Sequence, residues 1–304
     1  PPLPVTATCP PATCSCRPMP ADLDIDHKTV MGNSVAPYSE HVLVSTGRSD
    51  WPSRIEDDES TPVVAALKGA FGRGGKYTDP FHNVLTSTSS LKPTDSTADT
   101  SSVLLFPSFQ YFPRIENTSP AMEALVKGYL LPTTLHKHHD VLSPEQKAGL
   151  TRDESFRSEL DVKPVQDVTV LICGHGARDN RCGVLGPLLQ AEFEDKLAMA
   201  GFDVRQDPPG SAPENGQSSS RPETALTARV GLISHIGGHK FAGNVIIYMP
   251  NSSSSHGLSG KGIWYGRVEP KHVEGIIKET IQEGRVIKEL FRGGIGRHSE
   301  PLRL

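Results

Sequence analysis

Two mostly apolar runs, Val168 to Ile172 and Val230 to Ile233, each lead into a glycine-rich stretch carrying metal-ligating side chains. The first opens on Cys173-Gly-His-Gly-Ala-Arg-Asp-Asn-Arg-Cys182. The second, after Ser234, opens on His235-Ile-Gly-Gly-His239. Short apolar runs bounded by glycine read as buried strands. Two thiols and two imidazoles delivered from strand ends form a metal-site constellation, suited to zinc or to an iron–sulfur cluster. A zinc finger needs a Cys-x₂₋₄-Cys pair with the histidines about a dozen residues on. Here eight residues separate the cysteines and more than fifty separate Cys182 from His235. The site is therefore one that tertiary folding assembles from two distant segments.

The other segments read as an α/β order. His41 to Thr46 reads as a strand, Pro62 to Ala70 as a short helix, and Ser87 to Ser102 as a Ser/Thr-rich loop or linker. Val103 to Phe106 reads as a strand and Ser119 to Leu130 as a helix with Pro120 in its first turn. Another helix starts at Ser143. Asp167 to Ile172 is a strong strand, and Gly186 to Ala200 an amphipathic helix closed by Gly201. Pro208 to Ser220 is a polar excursion. Strands follow at Ala228 to Ile233, Asn244 to Met249 and Gly262 to Val268. The last helix spans about Pro270 to Phe291, with Val273, Ile276, Ile277, Ile281, Val286, Ile287 and Leu290 near a 3.6 period. This content, a small sheet with few helices, is thioredoxin-like.

An internal echo is present. Val42-Leu-Val-Ser-Thr-Gly-Arg-Ser-Asp-Trp51 resembles Val170-Leu-Ile-Cys-Gly-His-Gly-Ala-Arg-Asp179, with Ser45 standing where Cys173 stands. Val103 to Leu130 likewise echoes Gly262 to Ile281. The organisation expected is a Pro-rich, Cys-containing segment (1–40), a degenerate thioredoxin-like domain without the ligands (41–140), a helical connector (141–165) and a thioredoxin-like ferredoxin domain (166–304).

Bulk properties narrow the function. A length of 304 residues accommodates two domains. A net charge of −4 gives no reason to expect nucleic acid or an anionic membrane as partner. No apolar run approaches the ~20 residues of a membrane helix. Five cysteines, an odd number, fit a reducing compartment or a metal better than a full disulfide framework. The chain begins at Pro1, as a mature or trimmed form would, which leaves any targeting segment open.

Other motifs carry less. Cys9-x₄-Cys14-x-Cys16 lies in the Pro-rich terminus without a fourth nearby ligand and reads as flexible thiols, with metal binding or a redox disulfide as alternatives. His175, inside the cysteine loop, reads as a supporting or solvent-facing residue rather than a ligand. Gly69 to Lys76 fails as a phosphate loop because Ala70 occupies the first glycine position and Tyr77 follows the lysine. Gly174-His-Gly176 fails as a dinucleotide fingerprint because Asp179 replaces its third glycine. His136 to His139 reads as a solvated turn and Glu56 to Glu59 as an exposed acidic loop.

The spacing Cys173-x₈-Cys182-Gly183, with His235-Ile-Gly-Gly-His239-Lys-Phe-Ala-Gly-Asn244 and Trp264-Tyr-Gly-Arg-Val268, resembles the sucrase/ferredoxin-like family, of the thioredoxin-like [2Fe-2S] ferredoxin type. The resemblance continues upstream in Ser49 to Asp57 and Gly72 to Asn83, so it covers most of the chain. It implies a [2Fe-2S] cluster held by Cys173, Cys182, His235 and His239 outside the Rieske fold, and a mitochondrial setting, with the cytoplasm as alternative. The "sucrase" half of the family's label implies sugar cleavage, for which no paired carboxylates are placed.

Charge then sets expectations. Two thiolates and two neutral imidazoles leave an oxidised cluster at zero, against −2 for four thiolates, so the reduction potential should rise. The second nitrogen of each bound imidazole would couple the potential to pH. Gly174, Gly176, Gly183, Gly237 and Gly238 are expected to let the backbone approach sulfide, and Arg178, Arg181 and Lys240 to stabilise the reduced state. The leading expectation is an electron-transfer or redox-sensing protein, more a redox carrier than an enzyme, with an unidentified redox partner protein. The alternatives are a thiol–disulfide redox protein and a zinc-stapled interaction module.

Overall fold

A computed structural model describes residues 3–95, 97–211, 226–252 and 255–304. Its first sheet strands and helices are β1 (Glu40–Ser45), α1 (Pro62–Phe71), β2 (Val84–Ser89), β3 (Thr100–Phe106), β4 (Gln110–Glu116) and α2 (Ser119–Leu125). After α3 (Pro144–Leu150) come β5 (Val168–Cys173), α4 (Asn180–Met199), β6 (Thr227–Ile233), β7 (Val245–Tyr248), β8 (Gly262–Tyr265), α5 (Pro270–Ile276) and β9 (Phe291–Ile295).

The sequence of β5 is Val-Thr-Val-Leu-Ile-Cys, buried throughout. A strand without alternation is one covered on both faces. It lies between β6, parallel, and β7, antiparallel, and β8 pairs antiparallel with β7. The relations recur upstream: β1 is parallel to β2 and antiparallel to β3, and β3 is antiparallel to β4. In both runs a helix connects the two parallel strands, and the last helix continues into a π-helical turn, Val126–Leu130 after α2 and Ile277–Gln282 after α5. The two runs meet edge to edge, β2 against β6, in one mixed sheet that has 12 strands among the described residues. Serine and threonine close that seam. Ser234 N–H donates to the Thr88 carbonyl, Thr88 N–H to Ser234 Oγ and Leu232 N–H to Ser90 Oγ.

Several expectations change. The Ser87 to Ser102 run is not simply a linker: Ser87 to Ser89 belong to β2 and Thr100 to Ser102 to β3. The last helix does not reach Phe291. It ends at Gln282, and Phe291 opens strand β9. Strand β4 was not expected, and it shifts the echo, since β4 rather than β3 stands where β8 does. Most of the Pro208 to Ser220 excursion lies outside the described residues.

Candidate metal centre

Strand register builds the site. Parallel pairing sets Cys173 opposite Ile233, so His235 emerges two residues beyond the partner of Cys173. Gly174 N–H donates to the Ile233 carbonyl and Cys173 N–H to the Asn244 carbonyl, tying three strand ends together. Helix α4 begins at Asn180, six residues earlier than the sequence reading placed it, so Cys182 stands in the first turn of a helix and not in a loop. Asp179 caps that turn by accepting the Arg181 N–H. Free N–H groups and the helix dipole favour negative charge there, which suits a thiolate.

The helix can come so close to the β5–α4 loop only because of paired glycines. A Cβ on Gly183 would stand 2.6 Å from Gly176 Cα, and one on Gly186 2.6 Å from Gly174 Cα. These glycines therefore serve helix–loop contact. Gly237 and Gly238 have positive φ (80° and 71°), and a Cβ on Gly238 would collide with the Arg292 guanidinium. That is a different role from the approach to sulfide expected of them.

The four candidate residues are linked in pairs: Cys173 with Cys182 and with His235, and His235 with His239. Cys173 and Cys182 are buried at 2% and 1% exposure. A side-chain hydrogen bond from Cys182 holds the Cys173 thiol well below the usual thiol range, outweighing burial, and His235 adds a second. The same thiol–thiol bond, with burial, pushes Cys182 up. The pair thus favours one negative charge, on Cys173. The His235 and His239 rings lie 5.3 Å apart, tilted by 33°. His239 is exposed, His235 half-buried, and His235 Nδ1 is buried without a hydrogen-bond partner. Among the described residues, no three His, Cys, Asp or Glu side chains are grouped as the cage of a single metal ion requires.

His175 is neither a ligand nor solvent-facing. It is 1% exposed. Its Nδ1 accepts the His235 N–H at 3.1 Å, so Nε2 carries the proton and faces the carbonyls of Trp51 and Pro52, each at 3.0 Å. It pins the His235 backbone to the segment after β1. A cavity of about 170 Å³, lined in part by Ser53, Glu56, His175, Arg178 and His235, opens on this side.

The cations also differ from expectation. Arg181 is engaged by Asp179 at 2.8 Å and Lys240 faces Asp26 at 3.5 Å, while Arg178 reaches Ser53 on an exposed loop. The cation that sequence reading missed is Arg292, on β9. It is 3% exposed and donates to Ser34 Oγ, the Gly237 carbonyl and Asn244 Oδ1. Burial lowers its pKa to about 10, and the negative groups acting on it are Cys173 and Cys182. Its hydrogen-bond partners are neutral oxygens, so the negative groups that act on this buried arginine are the thiols. Its sequence signal, an arginine inside a strand next to Gly293 and Gly294, was hidden because the last helix was read as running up to Phe291, the residue that opens the strand.

Elsewhere, His136 is not a solvated turn residue but stacks on Phe81 at 3.9 Å. In the acidic loop, Asp58 is buried against Arg48 and Ser60 rather than exposed.

The fold and this site define a class: a mixed α/β chain of thioredoxin-like content with a buried thiol pair and a histidine pair at strand ends. The sucrase/ferredoxin-like family model matches residues 31–293, and the chain belongs to that family. It is 30% identical over 293 residues to altered inheritance of mitochondria protein 32 of Debaryomyces hansenii, covering 93% of each chain. The protein of the same name from Meyerozyma guilliermondii is 30% identical over 92% of this chain and 89% of its own. That from Clavispora lusitaniae is 38% identical over 170 residues, 55% of this chain and 50% of its own. No solved structure gives a significant match.

Proposed function

We propose that this chain is an electron-transfer or redox-sensing protein whose [2Fe-2S] cluster is held by Cys173, Cys182, His235 and His239. The observation that carries the reading is a buried thiol pair whose Cys173 thiol is held low in part by His235, whose own buried Nδ1 has no hydrogen-bond partner. An unsatisfied buried polar atom costs about 1–3 kcal/mol, which bonding to a metal would relieve. The donor set fits: soft thiolates and imidazoles are ligands of two-iron clusters, and four ligands divided between two irons need not converge on one point. When bound, such a cluster supplies a one-electron couple.

The chain's own residues set the terms of that couple. Two imidazoles in place of two thiolates bring two fewer negative charges, which favours reduction. Arg292 adds a buried positive charge on which the Cys173 and Cys182 thiols act electrostatically. His175 holds the His235 backbone, while His239, exposed to water, can exchange a ring proton. Segment 41–140 we take as a ligand-free copy of the 166–304 unit. It supplies the Trp51 and Pro52 carbonyls that orient His175. The names of the relatives support a mitochondrial setting, and the proposed partner is another redox protein.

The test is voltammetry of the wild type and the His235→Cys and His239→Cys variants from about pH 6 to 10. Each swap adds a thiolate charge, so the potential falls by much more than ~30 mV and its pH dependence weakens. A flat wild-type profile, or potentials unchanged by either swap, would refute histidine ligation.

A further inference from the structure

The Pro-rich terminus holds a second cluster of thiols, at the far end of α4. Val5–Thr6 pairs with Val286–Ile287 and anchors the segment. Beyond it the chain crosses α5 and α4, and the three terminal cysteines diverge. Cys9 packs against α5: its Sγ stands 2.4 Å from where a Cβ on Gly275 would be, and burial pushes its thiol up to about 12. Cys14 is half-exposed. Lys196 Nζ donates to its Sγ at 2.7 Å, and its thiol hydrogen points at Glu274 Oε2, 3.0 Å away. Lys196 is itself 7% exposed and lies 3.7 Å from Glu192 Oε1, an oxygen buried without a hydrogen-bond partner. The ammonium is thus held in place from below and aimed at a sulfur. Cys16 lies beside Cys14, its Sγ 3.6 Å from the Cys14 carbonyl. A cavity of about 400 Å³, lined by Thr13, Cys14, Lys196, Met199, Glu274 and Lys278 among others, opens onto the Cys14 sulfur.

We propose that Cys14 and Cys16 form a dithiol site that reduces small disulfides, with Cys14 as the attacking thiol and Cys16 as the resolving one. A thiolate attacks, and a neighbouring ammonium stabilises it. The cavity volume falls in the range of small-molecule sites, which favours a small disulfide over a protein surface. The Cys14 thiolate attacks one sulfur of the disulfide, forming a mixed disulfide and releasing one thiolate. The Cys16 thiol, its proton passing to water, attacks Cys14 Sγ, closes the Cys14–Cys16 disulfide and releases the second thiolate. Two protein thiols are oxidised, one substrate disulfide is reduced to two thiols, and the two protons lost by the protein are available to the released thiolates. The site is independent of the metal centre, since Cys182 and Lys196 lie about 20 Å apart along α4 at 1.5 Å per residue.

The test is incubation of the full chain, prepared without air, with excess glutathione disulfide, followed by alkylation and peptide mass mapping. Wild type is expected to accumulate a Cys14–Cys16 disulfide, and Cys16→Ser a glutathione adduct on Cys14. Cys14→Ser is expected to leave Cys16 largely unmodified. Lys196→Met, which removes the ammonium donating to the Cys14 sulfur, should slow the reaction about threefold, and Lys196→Arg restores the rate. Thermal unfolding of the Lys196 variants separates this effect from misfolding. The proposal is overturned if Cys14 reacts no faster than Cys9, if Cys16→Ser traps no adduct, or if folded Lys196→Met reacts at the wild-type rate.

Discussion

Replacing Gly186 by alanine tests the packing that places Cys182 against Cys173. Propensity alone predicts a gain: alanine inside a helix is better than glycine by about 1 kcal/mol. Packing predicts the reverse. The new Cβ would stand 2.6 Å from Gly174 Cα and 2.8 Å from the Cys173 carbonyl oxygen, against 3.4 Å or more for ordinary contact. Both obstacles are backbone, so α4 must withdraw from the loop by about 0.8 Å. Overpacking of this kind costs about 1–3 kcal/mol, which equals or exceeds the propensity gain. Gly69→Ala is the control, because Gly69 lies in α1 with nothing within 4 Å of its Cβ position. Urea denaturation should show Gly69→Ala stabilised by about 0.5–1 kcal/mol and Gly186→Ala destabilised by about 1 kcal/mol relative to wild type. Differential alkylation should find Cys182 more reactive in Gly186→Ala. If Gly186→Ala were as stabilised as the control, the close approach of helix and loop would be wrong, and with it the placement of Cys182.

Arg292→Met should lower the reduction potential by on the order of 100 mV, the effect of losing one buried positive charge at intermediate dielectric, while Arg292→Lys keeps most of it; equal potentials in all three proteins would remove Arg292 from the site. Glu40 should make stability fall with pH. Burial raises its carboxyl from 4.5 to about 7, so the stabilisation is complete below pH 4.5 and lost as pH rises through 7. Glu40→Gln, which retains an acceptor for the Ser108 N–H, should flatten that slope and add up to about 3 kcal/mol above pH 7, read by denaturation at pH 5 and 8; an unchanged slope would contradict it. Replacing Cys9, Cys14 and Cys16 together by serine should leave iron content unchanged, and loss of half or more would mean that a ligand had been missed.

What the sequence displays and hides follows from physical causes. The mostly apolar runs of β5 and β6 were legible because a strand covered on both faces needs few polar positions. Their glycine-rich ends, and the residues Cys173, Cys182, His235 and His239, were legible for the same reason. The start of α4 was not. Pro187 lies inside the helix, where it mimics a first-turn proline, while Gly183 and Gly186 lower propensity for the sake of contact with Gly174 and Gly176. Strand β9 was hidden because Val286, Ile287 and Leu290 continue the spacing of α5 by coincidence, although Gly284 with φ of 66° breaks the chain just before them. Arg292 and His175 act through contacts with residues 48 and 124 positions away, Asn244 and Trp51, and no local pattern records such partners.

The central claim rests on iron. Protein purified without air should contain about two iron and two acid-labile sulfide per chain, with a red-brown visible spectrum. Cys173→Ser and Cys182→Ser should each lose both the iron and the colour while remaining folded. A colourless wild type that carries zinc or no metal, or serine variants that keep full iron and the same spectrum, would contradict the assignment of these residues as cluster ligands.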